Sequence, residues 1–321
     1  MKRSSVAKRH LLIASLLTVL AIAGVLALAG CGSGGAPASS PSPPGMHAAS
    51  PSPTPTPTLW SVPQWRPGSD SLAGTAAVAR QWLRLLHSEA FASSHIWAKD
   101  VTFDLWAADL HLTGAAVKQL YSGAPGSTDE WGPGHILLRP GVAALEVQFS
   151  PGPGAVLTAL SLLAVSGGKI VHQEVFYNPA PGEAKPVTPW PKAPGPADTA
   201  ATTRQTAAAF SRAMVAADPA TMRRLLAPDL LFRDTANKRG QRGAEAFATW
   251  WNSLRPVTFQ DMPHAPLIVG DGWAVARWTA TGTEAYMPYS IMPGATVYEV
   301  RGGKIVRLTI YHDSLTLALH E

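Results

Sequence analysis

A short phrase that occurs twice is the feature that most constrains this chain. Residues 165–179 and 300–314 both read Val-x-Gly-Gly-Lys-Ile-Val and then alternate, 135 positions apart. That spacing is too long for a solenoid repeat and matches a duplicated domain. A Gly-Gly pair before alternating residues predicts a β-hairpin, because tight hairpin turns need positive φ. The sequence therefore predicts two copies of one scaffold, and a polar group present in one copy alone is a candidate site residue.

The repeat continues upstream with a slightly shorter spacing. Residues 97–103 align with 226–232, and residues 114–121 align with 243–250, both 129 positions apart. The change in spacing predicts about six extra residues in the second copy. We expect them in the strand connections between Trp273 and Pro293, because connecting loops tolerate insertions.

The amino-terminal segment indicates export. Four basic residues precede an apolar run over residues 11–28, as in a secretory signal peptide. The run ends in Leu28-Ala29-Gly30-Cys31, which resembles the bacterial lipobox. The resemblance implies that residues 1–30 are a lipoprotein signal peptide and that Cys31 is lipidated. A lipoprotein cysteine carries several acyl chains, enough for stable anchoring on the extracytoplasmic face of the cell membrane. The alternatives are a plain transmembrane anchor or a free thiol.

Composition separates the globular part from its connections. Residues 31–58 are rich in Pro, Ser and Thr and lack the apolar side chains that a core needs, so they predict a disordered tether. A second Pro-rich stretch, residues 180–197, predicts a linker. Of 26 basic and 21 acidic residues, four basic ones lie in residues 1–30, which leaves 22 against 21, a net charge of +1. With no basic stripe, nucleic acid is not an expected partner.

Each copy has the same predicted order of elements: helix, short helix, strand, helix and then about four strands. In the first copy, Val78, Trp82, Leu85 and Leu86 follow helical spacing. In the second, Asp218-Pro219 marks a helix start. This order predicts an α+β fold in which a curved antiparallel sheet wraps three helices. The predicted domains are residues 59–179 and 198–321.

The second copy resembles the SnoaL-like branch of the nuclear-transport-factor-2-like superfamily. The resemblance rests on residues 226–234, on the helix after Gly243, on Trp278-Thr-Ala-Thr-Gly-Thr283 and on residues 302–313. The first copy keeps the Gly-Gly-Lys-Ile hairpin and matches more weakly. The resemblance implies two tandem cone-shaped α+β barrels, each with a largely apolar cavity. It implies no single function, because the family includes cyclases, isomerases, epoxide hydrolases, dehydratases and non-catalytic binding modules.

Asp234 and His312 are the first candidates for acid–base chemistry in the second copy. Asp234 shares strand parity with the apolar Leu230 and Phe232, and His312 shares parity with Leu308 and Ile310. Each side chain could therefore face the cavity, where a carboxylate or imidazole can act as a general base. For Asp234 the alternative is a cap of the turn that follows its strand.

Asp313 is a third candidate with two interpretations. On a regular strand it faces away from the cavity and caps a helix at residues 314–320, whereas a bulge would turn it inward. Asp261 and His264 flank Met262-Pro263 and form either a loop pair or a simple turn.

Aromatic residues of the second copy are the predicted ligand-binding wall. They are Phe232, Trp250, Trp278, Tyr286 and Tyr311. No His, Cys, Asp and Glu set has metal-ligand spacing, so neither a metal nor a cofactor is expected. The first copy has Leu105 where the second has Asp234, and Tyr177 and Asn178 where the second has His312 and Asp313.

Two functions remain open at this point. One is a membrane-anchored lipoprotein that binds a small apolar ligand or a partner protein, with a sheet-mediated dimer as a further form of association. The other is a cofactor-independent cyclase, isomerase or hydratase that uses Asp234 or His312 as general base. The mutual geometry of these two residues decides between them, because a catalytic base and an oxyanion donor must reach one reacting atom.

Overall fold

The computed structural model describes the ordered elements of both halves. The described residues are 65–86, 88, 90–105, 110–122, 133–152, 155–177, 195–235, 240–253, 258–261, 267–281 and 291–312. All of them lie within one compact unit, Val62–Glu321. The predicted signal peptide, Cys31 and the tether lie outside the described residues. No helix in the described ranges combines the length and the apolar character that crossing a bilayer would require.

The described residues of the first half form a six-stranded sheet and two helices. In chain order its elements are α1 (Leu72–Leu85), β1 (Trp97–Leu105), β2 (Leu110–Thr113), α2 (Ala115–Ser122), β3 (Pro133–Arg139), β4 (Val142–Gly152), β5 (Ala155–Ser166) and β6 (Lys169–Tyr177). The strand order across the sheet is β2-β1-β6-β5-β4-β3.

In the second half, the described residues form a seven-stranded sheet and three helices. Its elements are α3 (Ala200–Val215), α4 (Pro219–Leu225), β7 (Leu226–Asp234), β8 (Gln241–Arg242), α5 (Ala244–Ser253), β9 (Thr258–Asp261), β10 (Ile268–Gly270), β11 (Trp273–Thr281), β12 (Ile291–Arg301) and β13 (Lys304–His312). The strand order is β8-β7-β13-β12-β11-β10, with β9 paired to β11. The two halves thus share one path of strands, and both are mixed α+β.

The sheets are not wholly antiparallel, which corrects the sequence prediction. β1 pairs with β6, and β7 with β13, in parallel. In each half these two strands are separated by a helix and several further strands, and only a long connection of this kind lets strands run side by side in one direction. The remaining strand pairs are antiparallel, as the alternating residues and the turn residues predicted.

The short second helix predicted for both copies forms only in the second. There Asp218 accepts a hydrogen bond from the Thr221 backbone N–H and Pro219 follows it, as expected for a helix start. At the corresponding place in the first half, the described residues 90–96 form turns. The hydroxyls of Ser93 and Ser94 donate to the carbonyls of Ala90 and Phe91, an alternative to continuous helix bonding.

The duplicated Gly-Gly turns are built alike. Gly167 and Gly168 have φ of 59° and 70°, and Gly302 and Gly303 have 57° and 69°. Both turns are held from outside the hairpin. The carboxylate of Asp70 accepts both backbone N–H groups of the first turn, and that of Asp198 accepts both of the second. The chain that enters each half is thereby fastened to the last hairpin of that half.

Three apolar clusters organise the unit. One lies between the first sheet and its helices, around Trp82, Phe91 and Trp97. A second lies between the second sheet and its helices, around Phe210, Phe232 and Trp250. The third joins the opposite faces of the two sheets, and its members are Trp65, Val142, Ala144, Leu160, Leu162, Ala164, Phe176, Ile268, Trp273, Val275, Ala295, Val297 and Tyr311. The sheets therefore pack on each other through the faces that point away from their helices.

Candidate functional site

Two neighbouring strands bring Asp234 and His312 together. β7 and β13 are parallel, and Asp234 is the register partner of Ile310. Parallel neighbours end at the same edge of a sheet, and residues two apart on a strand point the same way. His312 comes two residues after Ile310, the register partner of Asp234. It therefore lies on the same face of the sheet as Asp234. Leu230, Phe232, Leu308 and Ile310 on this face are fully buried in the helix-side cluster.

The two side chains form a buried hydrogen-bonded pair. Nε2 of His312 lies 2.8 Å from Oδ1 of Asp234, and the residues are 4% and 6% exposed. The indole Nε1 of Trp250 donates to the other carboxylate oxygen, Oδ2, at 2.7 Å. Both oxygens of Asp234 are thus engaged, and the carboxylate fixes the orientation of the imidazole as in other aspartate–histidine pairs.

Helix α5 supplies the aromatic side of the site. Phe247, Trp250 and Trp251 form its buried face, at helical spacing. The ring of Trp250 lies 5.2 Å, centroid to centroid, from that of Phe232 on β7. The pair of Asp234 and His312 is therefore packed among aromatic rings at the end of the strand rather than in a polar cleft.

A glycine makes room for Trp278 on the other side of His312. Gly294 is the register partner of both Trp278 and His312, so it sits between them in one row of the sheet. A Cβ at this position would meet the Trp278 ring at 2.3 Å. Because that atom is absent, the indole lies across the row, 6.4 Å from the His312 ring, and its Nε1 donates to Thr296.

Among the predicted site residues whose side chains the structure describes, Tyr311 does not join this group. Tyr311 lies on the opposite face of β13, where its hydroxyl donates to Glu146 of the first half at 2.6 Å. Tyr286, Asp313 and His264 lie outside the described residues. Asp261 ends β9 as the register partner of Trp278, and its side chain is not described.

The first half has neither a carboxylate nor an imidazole at the two described positions that correspond to the pair. Leu105 is the register partner of Val175, as Asp234 is of Ile310, so the sequence alignment of these positions holds in three dimensions. Tyr177 occupies the place of His312 and packs in the apolar cluster, and Tyr121 on α2 occupies that of Trp250. The hydroxyl of Tyr121 donates to Gln173. One scaffold position is thus apolar in one half and ionisable in the other.

Sequence reasoning missed the charged groups between the two sheets. Glu146 on β4 is 5% exposed and lies 3.1 Å from the guanidinium of Arg307, which is 1% exposed. His135 approaches the same carboxylate at 2.9 Å. Burial alone would raise the pKa of Glu146, but the Arg307 charge and the hydrogen bonds from His135 and Tyr311 lower it to about 2. Burial and the neighbouring Glu146 charge raise the pKa of Tyr311.

A second buried group crosses the same junction. Arg277 on β11 donates to Glu174 on β6 at 2.7 Å, and both side chains are fully buried. His172 and Asp104 adjoin Glu174 in the first sheet. Burial raises the pKa of Asp104. The hydrogen bond with His111 and the interaction with His172 lower it by less, so the pKa remains raised. The sequence signal for this group was the pair of polar residues at alternate positions 172 and 174. On sequence alone, such a pattern is typical of a strand that faces solvent.

Comparison with known proteins identifies the fold of the second half. Residues 207–308 match the SnoaL-like domain family. No curated protein matches the chain.

Several solved structures are similar over about a third of the chain. An NTF2-like protein from Cytophaga hutchinsonii is 13% identical, with 36% of this chain and 94% of that chain covered and a TM-score of 0.31. An NTF2-like protein from Mesorhizobium loti is 21% identical, with 37% and 96% covered and a TM-score of 0.31. An LEH-like epoxide hydrolase from M. tuberculosis is 18% identical, with 38% and 90% covered and a TM-score of 0.32.

Proposed function

We propose that the second half binds a small, largely apolar ligand at the site formed by Asp234, His312 and the surrounding aromatic rings. The ligand carries one polar group, such as a carbonyl or hydroxyl, that the imidazole recognises by a hydrogen bond. The first half is a partner domain that supports this site through the junction between the sheets. Together they form a tandem SnoaL-like protein.

The observation that carries the proposal is the difference between the halves. Burying an ionisable pair among aromatic rings costs free energy, even when the pair is hydrogen-bonded. The same strand register is filled by Leu105 and Tyr177 in the first half, so the fold does not need a carboxylate and an imidazole there. A costly feature that the scaffold can do without is best explained by a ligand.

The surroundings define the ligand class. Phe232, Trp250 and Trp278 present apolar ring surface, and aromatic rings dominate the recognition of apolar ligands. The two indole N–H groups are already donated to Asp234 and Thr296, so we assign recognition of the ligand's polar group to the imidazole of His312. A mostly apolar molecule with a single oxygen function suits this combination.

A second function follows from the same pair. A carboxylate that orients an imidazole is an arrangement used in general base catalysis. In a cyclase, isomerase or hydratase of this kind His312 would take the proton, because both oxygens of Asp234 already accept hydrogen bonds. Binding is preferred because the indole N–H groups of Trp250 and Trp278 donate to Asp234 and Thr296, so neither is shown aimed at an oxyanion beside His312.

The test converts the second site into a copy of the first. The full chain is purified gently and weighed by native mass spectrometry, as wild type and as the double variant Asp234→Leu/His312→Tyr. We expect retained ligand mass in the wild type and none in the double variant. The control is Tyr311→Phe, which changes the neighbouring residue on the opposite face of β13 and should keep the ligand.

The outcomes separate the two functions. Recovery of an unaltered cell metabolite supports binding. Conversion of a supplied compound of the recovered class by the wild type but not by His312→Gln supports the enzyme. Equal ligand mass in the double variant and the wild type would refute both, because the pair would then play no part.

We infer further that the chain is a lipoprotein held outside the cell membrane through Cys31. The support is the basic segment, the apolar run and the lipobox-like Leu28-Ala29-Gly30-Cys31. In a bacterial host, metabolic labelling with an alkyne fatty acid should mark the wild type and not Cys31→Ser. Labelling of both, or of neither, would contradict lipidation at this residue.

A further inference from the structure

A group of three metal-ligating side chains lies on the junction face of the first sheet. β1 and β6 are parallel neighbours in which Thr102 is the register partner of His172 and Asp104 that of Glu174. Alternation places all four side chains on one face. Asp104, His172 and Glu174 each offer a ligand atom, and these atoms lie within 4.8 Å of one another. The three residues are 2%, 9% and 0% exposed.

The two separations from His172 suit a tetrahedral metal ion. Nε2 of His172 lies 3.4 Å from Oδ2 of Asp104 and 3.4 Å from Oε1 of Glu174. These separations are too long for good hydrogen bonds. Zinc binds imidazole nitrogen and carboxylate oxygen at about 2.1 Å, and two such ligands at the tetrahedral angle are about 3.4 Å apart.

Two buried oxygens of the group lack hydrogen bonds within the described part of the chain. They are Oδ2 of Asp104 and Oε2 of Glu174. A buried carboxylate oxygen without a partner is costly, and such atoms call for an explanation, of which an ion is one. Oδ2 of Asp104 is the atom that lies 3.4 Å from His172, and Oε2 of Glu174 belongs to the carboxylate whose Oε1 lies 3.4 Å from His172.

Asp104 and His172 are also held from behind. Nδ1 of His172 lies 2.5 Å from the hydroxyl of Thr102, so Nε2 is the nitrogen that faces the carboxylates. His111 is bonded to the other oxygen of Asp104 at 2.6 Å. Arg277 donates to Oε1 of Glu174 at 2.7 Å, which fixes this carboxylate and leaves its Oε2 for an ion. Outer partners of this kind orient metal ligands in proteins. The side chain of His111 is 39% exposed, so the group lies one side chain below the surface.

The charges leave room for a cation. Glu174 is paired with the guanidinium of Arg277, which also lies over the ring of Trp65 at 4.9 Å. Asp104 adds a second carboxylate to the group, and a cation bound by the three ligand atoms would balance its charge.

We propose that Asp104, His172 and Glu174 bind one Zn²⁺ ion, with a fourth position for water. The ion would join β1 to β6 and, through Glu174 and Arg277, fasten the first sheet to the second. Its role is therefore structural, and the site is separate from the pair of Asp234 and His312 in the other half.

The first experiment needs only the wild-type full chain. After treatment with a chelator and its removal, the protein is titrated with ZnCl₂ by calorimetry. We expect one equivalent to bind with a micromolar or lower Kd and to raise Tm. X-ray absorption of the zinc adduct should show nitrogen and oxygen neighbours and no sulfur. Absence of stoichiometric binding, or a sulfur shell from Cys31, would overturn the proposal.

The second experiment assigns the ligands. His172→Gln and Asp104→Asn should each weaken zinc binding at least tenfold and abolish the rise in Tm. His95→Gln removes an exposed histidine outside the group and should bind zinc like the wild type. If both ligand variants retain wild-type affinity, the ion is held elsewhere and the assignment is wrong. If one of them does not fold, the absorption spectrum of the wild type still decides between nitrogen–oxygen and sulfur ligation.

Discussion

Replacing Glu146 by Gln tests whether the buried charges hold the two sheets together. The carboxylate has a pKa of about 2 against an ordinary value of 4.5, a difference of about 2.5 units. At about 1.36 kcal/mol per unit, the ionised group contributes about 3 kcal/mol to the free energy of unfolding at neutral pH. Glu146→Gln keeps the shape and an acceptor for Tyr311 but removes the charge that faces Arg307. We therefore expect a loss of about 3 kcal/mol at pH 7.

The sign of the pH dependence follows from the lowered pKa. The folded state binds this proton less readily than the unfolded state, so the stabilisation is complete above about pH 4.5 and is lost as pH falls towards 2. The difference between wild type and Glu146→Gln should accordingly shrink from about 3 kcal/mol at pH 7 to well under 1 kcal/mol at pH 2. Urea denaturation followed by tryptophan fluorescence at several pH values measures both quantities.

A matched control uses an exposed glutamate. Glu245 pairs with Arg223, but the side chains are 79% and 59% exposed, and pairs of this kind contribute little to stability. Glu245→Gln should leave the unfolding midpoint unchanged within error. If Glu146→Gln is as mild as this control, or if its effect does not change with pH, the reasoning about the junction is refuted.

Two further predictions concern the second half. Gly294→Ala should push Trp278 out of its row, because the added Cβ would lie 2.3 Å from the ring; we expect a loss of about 1–3 kcal/mol and a shifted tryptophan emission spectrum. An unchanged spectrum would mean that the indole is not held as described. Asp234→Leu alone leaves the N–H groups of Trp250 and His312 without their acceptor and should cost about 1–3 kcal/mol. Adding His312→Tyr should recover part of that loss, as measured by urea denaturation, and a double variant less stable than the single one would contradict the comparison with the first half.

Much of the local structure could be predicted from short sequence signals. The Gly-Gly pairs marked both final hairpins, and Asp218-Pro219 marked the start of α4, because turns and caps depend on a few adjacent residues. Strand parity correctly placed Leu308 and Ile310 on the face that packs against the helices. The same parity placed Asp234 and His312 on that face, although it could not say that they touch.

Other features depended on partners distant in sequence. The direction in which β1 lies beside β6 is set by the whole intervening chain, so alternation could not reveal the parallel pairing. In the first half the serine hydroxyls of residues 93 and 94 replaced a predicted helix by turns, a competition that apolar spacing does not register. The need for a glycine at position 294 likewise depends on Trp278, a residue of another strand.

By itself, then, the sequence predicted two copies of one α+β scaffold. It determined the apolar strand faces, the glycine turns, and the presence of Asp234 and His312 in the second half where the first half has Leu105 and Tyr177. These properties follow from residue type and spacing along one chain segment. The tertiary structure decided that Asp234 binds His312, that Tyr311 turns to Glu146, and that Asp104, His172 and Glu174 meet beside Arg277. The physical reason is that alternation defines two faces of a strand, but only sheet register and the packing of sheet on sheet define what each face meets.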